Sequence, residues 1–279
     1  MSASAGIGGL PLAKAILRCT SILASIVLLA SPATARITKT RPQPSSSWVP
    51  GADVLQRFTI GSGFEIEPDV DETGYDFPGL IQYNFTEYLQ LSLEPDIVYI
   101  ESKDPRNPSV AGFSDLDTTL DWEFLHERRW RPALTAEGGI KFPTSTDRDI
   151  GSPGYDYAIG LIASKDLIYA DLDLNAVYTF IGDNTVQDTV ELSLSAEWPV
   201  TYYLDVLTEV STTLATGAIR ASNGAPTGLG NGDEFQETEG LLGLAVHVNK
   251  FLKLEGGVIR KSDQNWQFVF AWEYAFSGD

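Results

Sequence analysis

The sequence predicts an all-β protein, a transmembrane antiparallel up-and-down β-barrel of about 12 strands that follows a cleaved signal peptide. Three observations carry this reading. The N-terminus has the layout of an export signal, the remainder alternates apolar and polar residues from end to end, and short connections alternate with mostly longer ones.

The N-terminal element comes first. Lys14 and Arg18 form a positive region, Thr20 to Ala30 is apolar, and Ala33-Thr34-Ala35 supplies a small-x-small cleavage site. Residues 1–35 are therefore expected to be a signal peptide and the mature chain to begin at Arg36. The apolar run is about a dozen residues, short of the roughly 20 that a spanning helix needs. Cys19 follows Arg18, where a lipid-attachment signal wants a small residue, so it reads as part of the signal. Cleavage removes two bases and no acid, and takes with it the single Cys and the single Met. An exported chain without cysteine has no disulfide staples and must hold itself by hydrogen bonding and packing. Residues 36–54, rich in Pro and Ser with Trp48, read as an extended leader, and residues 55–279 as the barrel.

Alternation with period two marks strands. From Leu167 to Ile181, Ile168, Ala170, Leu172, Leu174, Ala176, Tyr178 and Phe180 share one face, and Asp171, Asp173, Asn175 and Thr179 the other. Val190, Leu192, Leu194, Ala196 and Trp198 oppose Glu191, Ser193, Ser195 and Glu197. Leu116, Leu120, Trp122 and Phe124 oppose Asp115, Asp117, Asp121 and Glu123. The last segment sets Trp266, Phe268, Phe270, Trp272, Tyr274 and Phe276 against Gln267 and Glu273. The expected strands are 55–67, 75–85, 88–100, 112–125, 131–142, 155–165, 167–181, 188–198, 202–214, 236–248, 251–261 and 265–276. They exceed the ~5–6 residues usual in soluble sheets and suffice for the ~9–11 that cross a bilayer at a tilt.

Short links at Phe85 to Tyr88, Lys165 to Leu167, Pro199 to Thr201 and Asn249 to Phe251 alternate with longer ones. The longer set includes Glu101 to Ala111, Pro143 to Gly154 and Ala215 to Phe235, the last expected to fold inward. Membrane barrels pair short periplasmic turns with longer outer loops in this way. Acids at every second position cannot face a dry core, because a buried unpaired carboxylate is very costly. Around a polar lumen they cost little, while the apolar face meets lipid and closure leaves no unpaired edge. Trp122, Tyr178, Trp198, Trp266 and Trp272 then suit the interfacial girdles.

Composition narrows the function. Asp+Glu 38 against Lys+Arg 19 gives a net charge of −19, which excludes nucleic acid, since phosphate contacts need a basic face. Two His and one Cys leave almost nothing for zinc, haem or iron–sulfur ligation, so no cofactor and no metal is expected.

Three stretches carry a family resemblance: Leu80 to Leu91 (LIQYNFTEYLQL), Gly112 to Asp117 (GFSDLD), and a third that runs from Arg131-Pro-Ala-Leu134 through Gly139 to Thr144 (GIKFPT) and Gly151 to Tyr155 to Ala163 to Leu167 (ASKDL). Together they resemble the outer-membrane transporters named for the meta-pathway of phenol degradation. The family pattern has Gly where Ser114 and Ser145 stand. The resemblance implies a porin-like barrel for aromatic or other small organic solutes, and it supplies no substrate site. The aromatic alternation ending at Phe276 resembles the C-terminal signal read by the barrel assembly machinery, although Ser277, Gly278 and Asp279 follow it.

No catalytic residue is expected. His247 falls on the polar face of its strand and reads as a lumen wall residue, and His126 lies in the Leu125 to Arg131 turn. A lipid-processing barrel enzyme would need Ser and His together near the lipid face, and neither His has such a partner by parity. Asp69, Asp71 and Glu72 form an acidic loop that suits solvent or divalent cations. Arg128, Arg129 and Arg131 with Trp130 sit at an inner turn, where lipid head groups are possible partners.

The lumen wall is expected to carry Glu65, Glu67, Asp115, Asp117, Asp121, Glu123, Glu137, Asp171, Asp173, Glu191, Glu197, Asp205, Glu209, Glu255 and Glu273 against Lys141, Lys253 and few other bases. A wall of one sign sets ion preference. The expectation is an outer-membrane channel of a Gram-negative-type bacterium, passing small solutes passively and favouring cations. Its partners are outer-membrane lipid, small solutes and the assembly machinery. A lipid-processing enzyme and a non-conducting structural barrel are the alternatives.

Overall fold

A computed structural model describes residues 56–148, 150–183, 186–216, 218–220, 226–229, 236–262 and 265–277. The expected signal peptide and leader lie outside these residues. The segments are β1 (Gln56–Pro68), β2 (Glu72–Thr86), β3 (Leu89–Glu94), β4 (Asp96–Ser102), β5 (Val110–Phe113), β6 (Leu116–Leu125), β7 (Ala133–Phe142), β8 (Asp156–Asp166), β9 (Asp171–Phe180), β10 (Asp188–Thr201), β11 (Leu204–Thr216), β12 (Ala218–Arg220), β13 (Pro226–Leu229), β14 (Gln236–His247), β15 (Leu252–Lys261) and β16 (Trp266–Ser277).

All pairings are antiparallel, and β1 pairs with both β2 and β16, which closes the sheet. Among the described residues β3 with β4 forms one stave and β5 with β6 another, so the wall has the twelve staves expected. The segments β12 and β13 form a separate hairpin within the 215–235 connection. The expected inward folding of that connection falls on side chains outside the described residues.

Both broken staves have local causes. Pro95 has no N–H and cannot continue the ladder; its carbonyl instead accepts the Gly79 N–H at 2.7 Å. A methyl group at Gly79 would sit 2.9 Å from that carbonyl, so the close approach needs glycine. At the second break, Ser114 donates its N–H to Asp96 across the wall at 2.9 Å. The Pro143 to Gly154 loop closes the remaining gap. Thr146 donates its N–H to Phe113 at 3.0 Å, and the Leu116 N–H reaches the Thr144 hydroxyl at 3.0 Å.

Several boundaries differ from the sequence expectation: β2 starts at Glu72, β10 runs to Thr201 through the link expected at Pro199 to Thr201, and the largest shift is in β9. The strand expected at 167–181 begins at Asp171, because Leu167 to Ala170 is a turn closed by a 2.8 Å bond from the Leu167 N–H to the Ala170 carbonyl. Ile168 and Tyr169 at its tip are exposed, so their apolar character continues the alternation without continuing the strand.

Leu120, Trp122, Leu174, Leu194, Trp198, Leu244, Phe268 and Phe270 all point outward and are exposed. A closed sheet with an apolar outer belt and a polar interior is a transmembrane barrel. Both termini of the wall lie at the end that carries the short turns, since Gln56 pairs with Ser277.

Candidate functional site

The lumen is built by the same alternation that makes the belt. In β9, Asp173, Asn175 and Val177 are buried inside while Leu174 is 56% exposed outside. Asn175 on β9 donates to the Ser193 hydroxyl on β10 at 2.8 Å, and Gln90 donates along β3 to the Ser92 hydroxyl at 3.2 Å, so neutral polar groups as well as charges pair on the inner wall.

The acids expected at the lumen take several positions. Asp121, 1% exposed, stands directly across from the buried Glu137. Asp171, half-buried, stands across from the buried Glu197. Like charges in direct register are destabilising, so the wall works against itself at both places. Asp173, Asp205, Glu209, Glu255 and Glu273 are buried, and Glu191 is half-buried. Asp117 faces inward but is exposed at the loop-end mouth. Glu123 lies near the opposite end, 2.9 Å from His126 Nδ1.

Asp115 lies beyond the outer end of β6. Burial alone would push its carboxyl up, but N–H donation from Ser152 at 2.9 Å and Ser145 at 3.0 Å, with Lys141 Nζ 3.5 Å away, outweighs this. The group is held below the usual aspartate value. The carboxylate thereby pins both ends of the 143–154 loop to the rim.

Glu65 accepts from Gln267 at 2.5 Å, and Glu67 takes Lys261 on both oxygens at 2.8 and 2.9 Å. Lys261 is an inward base that alternation alone did not single out. Asp76, Glu94, Asp96, Asp156, Glu237 and Glu239 are inward acids missed in the same way. Parity within β2 would have found Asp76, which shares a face with Leu80 and Gln82. Lys141 pairs with Asp156 across β7 and β8.

His247 does more than line the wall. Its Nε2 lies 2.6 Å from Asp205 Oδ2, and both residues are buried. The pairing joins β11 to β14 across a diagonal of the ladder, since Asp205 is in register with Ala245. His126 is exposed and stacks near Tyr88, with ring centroids 3.8 Å apart. Asp69 and Glu72 close a hairpin through a 2.9 Å backbone bond.

One sector of the inner wall is apolar. Leu207, Leu241, Ala245 and Ile259 cluster with Val269 on β11, β14, β15 and β16. Gly243 and Gly257 pair face to face there, and the hollow they leave is filled by Leu207 and Leu241. A small cavity of about 30 Å³ remains between these leucines, Gly61, Leu80 and the carboxylates of Glu255 and Glu273.

Wall, belt and lumen together define a β-barrel of the outer-membrane type. Solved structures share this fold. An outer-membrane channel from Pseudomonas putida F1 superposes with a TM-score of 0.63 at 14% identity, covering 85% of this chain and 100% of that one. The KdgM porin, solved with disordered oligogalacturonate, gives 0.54 at 10% identity over 78% of this chain and 99% of its own. The NanC porin gives 0.55 at 8% identity over 78% and 100%. No protein-family model matches the chain, and no curated protein matches it in sequence.

Proposed function

We propose that the barrel sits in the outer membrane and lets small solutes pass by diffusion, with an acid-lined lumen that favours cations. The observation that carries this reading is the sign of the inner wall. Inward acids run along most staves, and the inward lysines among the described residues, Lys141, Lys253 and Lys261, each already face a carboxylate. A single-sign wall between low-dielectric walls concentrates counter-ions and repels co-ions. The solved likenesses to channels and porins agree with the architecture. The resemblance to the phenol meta-pathway transporters adds small aromatic and other organic molecules as candidate solutes. A polyanion such as the oligogalacturonate seen with the KdgM porin is disfavoured by this wall.

A second reading is favoured by packing. Glu197, Asp205, His247, Lys253 and Glu273 are all buried near the short-turn end, as in a barrel whose interior is filled and serves as a scaffold. Planar-bilayer recording under a KCl gradient separates the two. Cation-selective steps are expected. An anion-selective reversal potential would overturn the charge argument, and silence from protein shown to be inserted would leave the scaffold.

A further inference from the structure

Five neighbouring staves place one row of charged side chains on the inner wall near the short-turn end. The row runs Glu197 on β10, Asp205 on β11, His247 on β14, Lys253 on β15 and Glu273 on β16. His247 is in direct register with Lys253, and Lys253 with Glu273. Glu255 lies one inward position along from Lys253. All six are buried.

Two features of this row are unusual for a lumen that merely has acidic walls. First, one carboxylate oxygen from Glu197, one from Asp205 and a ring nitrogen of His247 all lie within 4.8 Å of one another. Second, the surrounding charge is not balanced by the protein. Lys253 Nζ takes Glu255 Oε1 at 2.5 Å, but Glu255 Oε2 and Glu273 Oε2 are buried with no hydrogen-bond partner. Both carboxylates belong to the same electrostatic cluster as Glu197 and Lys253. Four buried carboxylates thus share one ammonium, an arrangement that is costly unless another cation is present.

We propose that this row binds one divalent transition-metal ion of the zinc class, held by His247, Asp205 and Glu197. An imidazole nitrogen with two carboxylates suits zinc and its neighbours. Calcium takes six to eight oxygens, which this set does not offer. With bonds of roughly 2.0–2.2 Å, two ligand atoms on one ion stand more than 3 Å apart. The 2.6 Å contact between His247 and Asp205 therefore opens by several tenths of an ångström, the neutral imidazole carries its one proton on Nδ1, and Nε2 holds the ion through its lone pair. The ion ties β10, β11 and β14 together, and with Lys253 it leaves one negative charge in the row uncompensated in place of three. The inference uses the fold and the cluster alone and stands whether or not the barrel conducts.

The test uses the mature barrel, refolded in detergent, stripped with chelator and titrated calorimetrically with zinc chloride. One equivalent is expected to bind. Affinity should fall at least tenfold in His247→Gln and in the double variant Asp205→Asn, Glu197→Gln, and remain unchanged in His126→Ala. Folding of each variant is checked by its heat-dependent gel mobility. Wild-type protein loaded with cobalt(II) supplies a readout free of mutation, in which visible d–d bands report nitrogen and oxygen ligation. Absence of zinc binding by the wild type, or equal binding by His247→Gln, would overturn the proposal and leave protons as the balancing charge.

Discussion

A residue's place in this wall is decided by whether its number in the strand is odd or even, and the energetic penalty for error is lopsided. Leu174 lies mid-strand in β9, with Ala163 on one side and Leu194 on the other, and faces outward. Arginine there would meet hydrocarbon. Leu174→Arg is expected to destabilise the barrel by about 2–4 kcal/mol, while Asp117→Arg, at the exposed mouth, should cost less than about 1 kcal/mol. Urea unfolding in lipid vesicles measures both. Facing was legible in the sequence because alternation reports it directly. Pairing was not. That His247 meets Asp205 depends on the offset between β11 and β14, which no property of either strand alone encodes. The same holds for Lys261 and Glu67, partners 194 positions apart.

At the scale of elements, the existence of strands was easier to read than their continuity. The stretches 88–100 and 112–125 each read as one strand, yet each is broken, the first at Pro95 and the second at Ser114 and Asp115, where the outward face passes from odd positions (Phe113) to even ones (Leu120, Trp122, Phe124). Pro78 and Pro95 fall on adjacent staves and Ser114 on the next, so the breaks line up across the wall. The loop that covers the last of them hangs on Asp115. Its carboxyl is depressed in the folded state, so the anchoring is present above the unfolded aspartate value of about 3.9 and is lost as pH falls through the lower folded value. Hydrogen-exchange mass spectrometry at neutral pH should show faster exchange at residues 144–152 in Asp115→Asn, with the β6 and β7 amides unchanged. Wild-type protein should show the same loop-confined change only once the pH has fallen below the ordinary aspartate range.

For the whole molecule, the inner wall and the outer belt answer to different demands. The belt is set by lipid and was plain from composition and period. The inner wall combines a repelling acidic surface with an apolar sector around Leu207 and Leu241, and that sector was not legible, because leucines on a polar face look like exceptions until four staves bring them together. If the acids set ion preference, neutralising the pair in register should show it. Asp121→Asn with Glu137→Gln is expected to lower the cation-to-anion permeability ratio without lowering the folded fraction, read from the reversal potential; an unchanged ratio would move the selectivity elsewhere.

The register of β1 against β16, from Phe58 with Phe276 to Ile66 with Phe268, also says something about biosynthesis. The first strand to leave the ribosome has to wait for the last before it gains its second neighbour. Until then both carry open edges, which in solution invite other strands. Contacts this distant along the chain form slowly, so the pairing of β1 with β16 is expected to be the last to form. Sealing the ring removes both edges at once, so closure and protection from wrong pairing are a single event.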